Sequence, residues 1–216
     1  MVRMTPQTIG RLLEPYVGLP TGQHAGAASG VVDWPSIHDK LLIYLELIMK
    51  WNARINLTAI REPEEIVRRH FGESLFVGGQ LGACRTLLDF GSGAGFPGVP
   101  IQLLRPEVQV TLAESQGKKA AFLHEVVRSL GLTTEVWAGR VDEMAAGRRF
   151  DTVVLRGVDQ MDCAVGEAGQ RASGSVMIVG TSGRADYAGL ADGFRRAEPV
   201  ALPEMKDGVL WVAHRS

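Results

Sequence analysis

A carboxylate followed by four closely spaced glycines is the part of the sequence with the clearest capacity for chemistry. Asp89 ends an apolar run, and it is followed by Gly91, Gly93, Gly95 and Gly98. The apolar run predicts a buried strand, and the glycines predict a backbone that turns tightly and lets a ligand approach closely. A strand, a glycine loop and a following helix together predict a nucleotide-type binding site.

Two ligand classes compete for this loop, because residues 93–98 match the dinucleotide pattern G-x-G-x-x-G. In a dinucleotide site a pyrophosphate lies over the amides that open the helix. Asp89 brings a negative charge to the same place, and that charge suits a cationic ligand without phosphates. S-adenosylmethionine (SAM) carries an ammonium and a sulfonium group, so the spacing Asp-x-Gly-x-Gly-x-Gly favours SAM over NAD. An NAD-dependent oxidoreductase and a glycine-rich turn without a ligand remain the alternatives.

A second carboxylate follows the next predicted strand. Residues 108–112 alternate as a strand that leads to Glu114, at the distance from the loop where a doubly wound fold presents an acid to ribose hydroxyls. Lys118 and Lys119 lie in the first turns of the following helix, where the helix dipole disfavours positive charge. Either an anionic partner holds one of these lysines there, or both form a solvated face.

Further polar residues fall where such a sheet would present them to a ligand. Residues 139–143 follow a third strand and would lie where adenine is recognised. Arg156 ends a fourth strand, and the carboxyl ends of parallel strands line the ligand crevice. Arg69 and His70 lie on a predicted helix, either as part of a solvated face or aimed at the glycine loop.

The elements that must position these residues alternate between helices and strands. Helices are predicted at 7–16, from 33 to 49, from 62, at 99–105, from 118 and at 188–195, and strands at 87–90, 108–114, 135–137, 150–157, 176–179, 200–202 and 209–213. A charge-free segment at 18–30, rich in glycine and alanine, predicts a mobile connection. The alternation predicts an α/β fold with an open, mainly parallel sheet and helices on both faces.

The composition limits the class of protein. A chain of 216 residues with 45% hydrophobic and 22% charged residues can bury one main core. A net charge of -1 gives no global field for nucleic acid. The cysteines Cys84 and Cys163 form no ligand pattern, so no metal site is predicted. Without a signal peptide or an apolar run of about 18 residues, we expect a cytoplasmic protein that does not enter a membrane.

With these residues in view, the chain resembles the bacterial RsmG family, formerly GidB, of small-subunit ribosomal RNA guanine-N7 methyltransferases. The resemblance runs from about residue 41 to residue 156 and rests on ordered blocks. These are Trp51-Asn52 through Asn56 to Arg61, Arg69-His70 through Glu73-Ser74-Leu75, Asp89 to Pro100, Glu114-Ser115 with Lys118-Lys119 and Phe122-Leu123, and Gly139 to Glu143. Generic SAM enzymes lack the Phe96-Pro97-Gly98 of the third block.

The resemblance implies a Rossmann-like SAM-binding methyltransferase domain over residues 81–216, preceded by a helical N-terminal region over residues 1–80. It implies methyl transfer from SAM to N7 of a guanosine in the 530 loop of 16S ribosomal RNA, guanosine 527 in that family. We expect the protein to act as a monomer on the small ribosomal subunit. Residues expected at the cofactor, from the loop and strands or from the resemblance, are Asp89, Gly91, Gly93, Gly95, Phe96, Glu114, Val141, Asp142 and Arg156. Candidates for RNA contact are Arg69, His70, Lys118 and Lys119.

The implied reaction needs no catalytic base, because guanine N7 carries an in-plane lone pair at neutral pH. The enzyme has to hold N7 in line with the methyl group and to stabilise the charge that the base acquires. Arg156 and Asn56 are the predicted positioning residues. Since the deep major groove of A-form RNA hides N7, the target is predicted to be an unpaired or extruded base.

The chain departs from the family pattern near its C-terminus. The family usually has Arg-Ala where this chain has Arg156-Gly157. It also has a lysine where this chain has Val179-Gly180, and an arginine near the last strand, where Gly208-Val209-Leu210 of this chain provides none. Two alternatives therefore stay open. One is a SAM methyltransferase that acts on another substrate, and the other is a noncatalytic relative that binds SAM or RNA.

Overall fold

Eight strands form one sheet in the computed structural model, which describes residues 4–17, 32–182, 190 and 193–216. They are β1 (Thr86–Phe90), β2 (Gln109–Ala113), β3 (Glu135–Trp137), β4 (Phe150–Arg156), β5 (Ala172–Thr181), β6 (Phe194–Arg196), β7 (Val200–Ala201) and β8 (Gly208–Arg215). Their order is β3-β2-β1-β4-β5-β8-β6, and β7 pairs with β8. The first five strands pair in parallel, whereas β8 pairs antiparallel with β5, β6 and β7. The predicted open, mainly parallel sheet is confirmed.

Helices cover the sheet and form the N-terminal part of the chain. They are α1 (Pro6–Val17), α2 (Trp34–Asn52), α3 (Pro63–Ile66), α4 (Glu73–Gly79), α5 (Gly98–Leu104), α6 (Gly117–Leu130) and α7 (Met161–Arg171). A π-helical segment (Val67–Gly72) joins α3 to α4, and a 3-10 turn covers Val141–Glu143. The predicted start of α2 is confirmed, because the Asp33 carboxylate accepts the amide of Ser36 at 3.2 Å. Among the described helices none is long and apolar enough to cross a membrane.

Successive side chains of each strand point to opposite faces of the sheet, so each face has its own hydrophobic core. Leu87 and Val154 belong to the cluster that includes side chains of α1, α2, α5 and α6, whereas Leu88 and Val153 belong to the cluster that includes α7. All four are fully buried, and each such side chain contributes about 1.5–3 kcal/mol of transfer free energy. The first cluster extends from α1 to β8, so the N-terminal helices share a core with the sheet, and α2 packs against α5 and α6.

The C-terminal part of the chain differs from the prediction. A helix is predicted over 188–195, but Phe194–Arg196 forms β6 and pairs antiparallel with β8. The Arg215 guanidinium lies 4.6 Å above the Phe194 ring, so pairing with a distant strand overrides the local pattern. β5 is also longer than the predicted 176–179. Residues 188–189 and 191–192 of the predicted helix, and the connection predicted at 18–30, lie outside the described residues.

Candidate functional site

A cleft of about 970 Å³ opens at the carboxyl ends of β1, β2 and β4. The chain leaves β1 towards α5 on one face of the sheet and leaves β4 towards α7 on the other, which creates a crevice between adjacent strands. The glycine loop (residues 91–98), Glu114 and the 3-10 turn line what we call the loop half. The π segment, Arg156 and the turn between β7 and β8 line what we call the helix half.

Positive φ angles explain why the loop requires glycine. Gly91, Gly93 and Gly95 have φ angles of 70°, 59° and 92°, a region that residues with side chains rarely adopt. A Cβ on Gly95 would lie 2.6 Å from the hydroxyl oxygen of Tyr44. That hydroxyl donates a hydrogen bond to the carbonyl of Ala94. The glycine therefore allows α2 to approach the loop and support it.

Asp89 supports the loop from beneath. Its Oδ2 accepts the amide N–H of Gly98 at 2.9 Å, and the residue is fully buried. Its Oδ1 is buried without a partner among the described residues, and burial raises the pKa of the carboxyl to about 7. The prediction that Asp89 meets the ligand directly is therefore corrected, because this side chain faces the start of α5 and does not line the cleft.

Glu114 connects the glycine loop to the end of β2. Its Oε2 accepts the amide N–H of Gly93 at 2.9 Å, and its Oε1 accepts that of Gln116 at 2.7 Å. The residue is nearly buried but lines the cleft. Each carboxylate oxygen retains a lone pair for a further donor, such as a sugar hydroxyl. Glu114 therefore lies in the cleft with free acceptors, and its role as a ribose ligand stays a prediction.

The 3-10 turn places an apolar side chain and a carboxylate at the rim of the loop half. Val141 is buried, Asp142 is exposed, and both line the cleft. Hydrogen bonds from Arg140 lower the pKa of Asp142. The indole N–H of Trp137 donates to the Arg140 carbonyl at 2.9 Å, and the Arg140 amide donates to Glu143 at 3.0 Å. These bonds hold the turn next to β3.

Arg156 reaches from the end of β4 to the π segment. Its guanidinium lies 3.0 Å from Nδ1 of His70, 2.7 Å from the carbonyl of Arg69 and 2.6 Å from Oε2 of Glu73. Arg69 also donates to Oε1 of Glu73 at 2.8 Å. All four residues line the helix half of the cleft. They link the sheet to the N-terminal helices.

Hydrogen bonding makes His70 a neutral ring. Because Arg156 can only donate, Nδ1 accepts, and Nε2 carries the proton that is donated to the Thr58 hydroxyl at 2.7 Å. Burial, then the charges of Arg156 and Arg69, lower the pKa of His70 to about 3. The ring stacks on Phe96 with centroids 4.6 Å apart. His70 lines the cleft, so its contact with RNA stays a prediction, but an uncharged ring with both nitrogens engaged would not pair with a phosphate.

The other predicted polar residues divide between the cleft and the outer surface. Arg69 and Lys119 line the cleft, and the Arg69 side chain is 42% exposed. Lys118 is exposed and lies outside the lining. Asn56 is also exposed outside the lining, and its side-chain oxygen accepts from Arg61 at 3.2 Å. Asn56 is therefore not placed to position a reactant in the cleft.

Four residues that shape the site are absent from the predicted set: Tyr44, Asn52, Thr58 and Glu73. Asn52 is buried, accepts the amide of Leu57 at 2.9 Å and donates to the carbonyl of Thr58 at 3.0 Å, so it folds the segment that carries the His70 partner. One signal could have found one of them. Glu73 follows Arg69 by four residues, the spacing of an ion pair on a helix.

Solved structures with the same fold include methyltransferases. Magnesium protoporphyrin IX methyltransferase from Synechocystis PCC 6803, solved with bound SAM, has a TM-score of 0.51 and 13% identity over the whole of both chains. The pyocyanin biosynthetic protein PhzM has a TM-score of 0.57 and 15% identity over 77% of this chain and 61% of that one. At these identities the likeness concerns the fold alone. The fold of the chain is the Rossmann-like α/β fold that these proteins share.

Residues 37–182 match the GidB family, described as rRNA small subunit methyltransferase G, and the chain belongs to this family. A ribosomal RNA small subunit methyltransferase G of Nitrosomonas europaea is 47% identical over 124 residues, which span 57% of this chain and 58% of that protein. The protein of the same name from Xanthomonas campestris pv. campestris (strain B100) is 38% identical over 175 residues, 77% of this chain and 81% of that protein. The resemblance inferred from the motifs is confirmed.

Proposed function

We propose that the chain transfers a methyl group from SAM to N7 of a guanosine in the 530 loop of 16S ribosomal RNA. The observation that carries this proposal is a single cleft with two kinds of lining. The glycine loop and Glu114 line one half, Arg156 and the π segment line the other, and all lie within the matched residues 37–182. A small cofactor and a larger reactant can therefore meet in one cleft.

The loop half fits SAM in shape and chemistry. A Cβ on Gly93 would meet nothing nearer than the Gly91 carbonyl oxygen at 3.9 Å, so the loop backbone is open to a ligand there. Glu114 would accept hydrogen bonds from the ribose hydroxyls, and Asp142 would accept one from the adenine amino group beside Val141. The proposed cofactor contacts are Gly91, Gly93, Phe96, Glu114, Val141, Asp142 and Arg156, whereas Gly95 lies outside the lining and faces Tyr44 and Val99.

The residues of the chain act by positioning and electrostatics. SAM supplies an electrophilic methyl group on a sulfonium sulfur. No side chain has to remove a proton, since the N7 lone pair is available at neutral pH. Arg156, fixed by Glu73 and His70, forms part of the wall between the two halves. Glu73 and Glu114 are buried carboxylates in the lining, and their negative charges can offset charge developing on the base.

The target is expected to enter through the helix half as an unpaired or extruded base. Arg69 and Lys119, with Lys118 on the adjacent surface, are the candidates for phosphate contacts. We propose that the helical region over residues 1–80 contributes to RNA binding and that residues 81–216 bind SAM. The proposed setting is the cytoplasm, with a monomeric protein acting on the small ribosomal subunit.

Replacing Glu114 with alanine is expected to raise the dissociation constant for SAM about 100-fold. The substitution removes the acceptor for the ribose hydroxyls, and hydrogen bonds to charged groups are worth about 1.5–3 kcal/mol each. It also removes the acceptor of the Gly93 amide. Isothermal titration calorimetry measures the effect, with Glu64→Ala on the exposed face of α3 as the control. A change of less than about threefold would exclude Glu114 as the ribose ligand.

Methyl transfer is tested on small ribosomal subunits from a bacterial strain that lacks this modification, with SAM labelled in its methyl group. The expected product is 7-methylguanosine, mapped by primer extension and mass spectrometry to the 530 loop. Subunits that already carry the modification are the control and should take up no label. Label at another nucleotide would show a different substrate. Binding of SAM without any incorporation would favour a noncatalytic relative.

A further inference from the structure

A buried carboxylate in the helix half has two arginine partners. Glu73 begins α4, and its side chain is 3% exposed. It accepts from Arg69 at 2.8 Å and from Arg156 at 2.6 Å. Acidic side chains are almost never fully buried unless they are paired. Because Arg156 is 16% exposed and Arg69 is 42% exposed, the pair with Arg156 is the better shielded from water.

Glu73 is the charged member of the group that orients Arg156. Three of the five N–H groups of the guanidinium donate to Glu73, to the carbonyl of Arg69 and to Nδ1 of His70. Two N–H groups remain, and Arg156 lines the cleft. A guanidinium is rigid and planar, so three bonds fix the position and the plane of the whole group.

The orientation of Arg156 is connected to the glycine loop through aromatic rings. His70 accepts from Arg156 and stacks on Phe96 at 4.6 Å. Phe96 packs against Tyr44 with centroids 5.5 Å apart, and the Tyr44 hydroxyl donates to a carbonyl of the loop. A movement of Arg156 would therefore disturb the wall that both halves of the cleft share.

We propose that Glu73 is a positioning residue for methyl transfer, an inference that rests on the proposed function. Its carboxylate holds the Arg156 guanidinium in the wall of the cleft, where the loop half meets the helix half. It also compensates the positive charge of Arg156 beside a base that itself becomes positive. Without Glu73, Arg156 would oppose the charge that develops during the transfer.

A purely structural role leads to a different expectation. Arg69 and Glu73 are four residues apart, the spacing of ion pairs that stabilise helices. If Glu73 served only this pair, its loss would lower the melting temperature and leave turnover unchanged. If Glu73 instead positions Arg156, replacing Glu73 lowers kcat, and the size of this decrease depends on whether Arg156 is present.

The decisive experiment is a double-mutant cycle of Glu73→Gln and Arg156→Ala, with kcat and KM measured on undermethylated small subunits. Glu73→Gln is expected to lower kcat about 100-fold, the size of effect that a misplacement of about 1 Å produces. The double variant should be no slower than Arg156→Ala, because Glu73 acts through Arg156. Glu107→Gln removes the exposed partner of Arg105, outside the lining of the cleft, and is the matched control, with unchanged kcat expected. A loss below about threefold for Glu73→Gln, or losses that multiply in the double variant, would overturn the proposal.

A second measurement does not depend on turnover. Nitrogen NMR of the His70 ring across pH reports on its neighbour, since Arg156 helps to lower the pKa of His70 to about 3. In Glu73→Gln a released Arg156 should move away, and the pKa of His70 should rise towards 6.5. Removing the carboxylate alone would shift this pKa downwards. An unchanged or lowered pKa overturns the proposal, even if the wild-type protein transfers no methyl group and the proposed function has failed on its own.

Glu73→Asp retains the charge on a shorter side chain. It is expected to recover part of the lost kcat and to keep the pKa of His70 low. This variant also replaces Glu73→Gln in the cycle if the glutamine variant does not fold. A loss in Glu73→Asp that multiplies with that of Arg156→Ala would then overturn the proposal.

Discussion

Gly95→Ala is expected to lower the free energy of unfolding by about 3–5 kcal/mol and to abolish detectable SAM binding, because backbone strain and overpacking each cost roughly 1–3 kcal/mol. The residue has a φ of 92°, and a Cβ would lie 2.6 Å from the Tyr44 hydroxyl oxygen and 2.8 Å from Cγ2 of Val99. Neither neighbour can retreat. Val99 is fully buried, and the Tyr44 ring is packed between Phe71 at 5.2 Å and Phe96 at 5.5 Å.

Gly131→Ala separates the steric effect from the backbone effect. Gly131 ends α6 with a φ of 61°, and a Cβ there would meet nothing within 4 Å. Its replacement should cost only about 1–2 kcal/mol, the penalty for a side chain in the left-handed region. Urea denaturation measures the free energy of unfolding of both variants, and isothermal titration calorimetry measures whether each variant still binds SAM. Equal losses in the two variants would refute the role assigned to Tyr44.

The free energy of unfolding is expected to fall by about 4 kcal/mol between pH 4 and pH 7 through Asp89 alone. Burial raises the pKa of this carboxyl from 3.8 to about 7 in the folded protein. The unfolded chain therefore releases the proton at a lower pH than the folded protein does. The contribution of Asp89 is fully present below about pH 3.8 and is lost as the pH rises to about 7. Asp89→Asn cannot ionise and keeps an oxygen that can accept the Gly98 amide, so it should remove this slope.

The measurement is the difference in unfolding free energy between wild-type protein and Asp89→Asn, by urea denaturation at several pH values between about 4 and 8. Other titrating groups cancel in this difference unless they interact with Asp89. Asp207→Asn removes an exposed carboxyl from the turn before β8 and is the control. Parallel pH profiles for wild type and Asp89→Asn would show that the folded protein holds this carboxyl ionised.

Local features of the chain were predictable from the sequence. Gly91, Gly93 and Gly95 adopt the positive φ angles that their type suggests, and Gly131 caps α6 in the left-handed conformation. Glu114 lies at the cleft because one helix, α5, and one strand, β2, separate it from the glycine loop in the sequence. These properties depend on residue type and short spacing, so a single sequence contains them.

Contacts between distant segments were not predictable in the same way. The position of Asp89 at the end of a strand is a local feature, but its orientation towards Gly98 depends on how α5 packs against the sheet. Glu73 and Arg156 are 83 residues apart in the chain. Phe194–Arg196 has no strong strand pattern of its own and becomes a strand by pairing with β8. Tertiary packing decides each of these arrangements, and no periodicity reports it.

Tyr44 makes the N-terminal helices and the glycine loop one structural unit. Its hydroxyl occupies the volume that any side chain at position 95 would need, and its ring supports Phe96. A chimera that joins the first 80 residues of one relative to the sheet of another would keep the loop in shape only if the donor brings a tyrosine to this place. A cut between α4 and β1, although it falls between secondary-structure elements, therefore does not yield interchangeable parts.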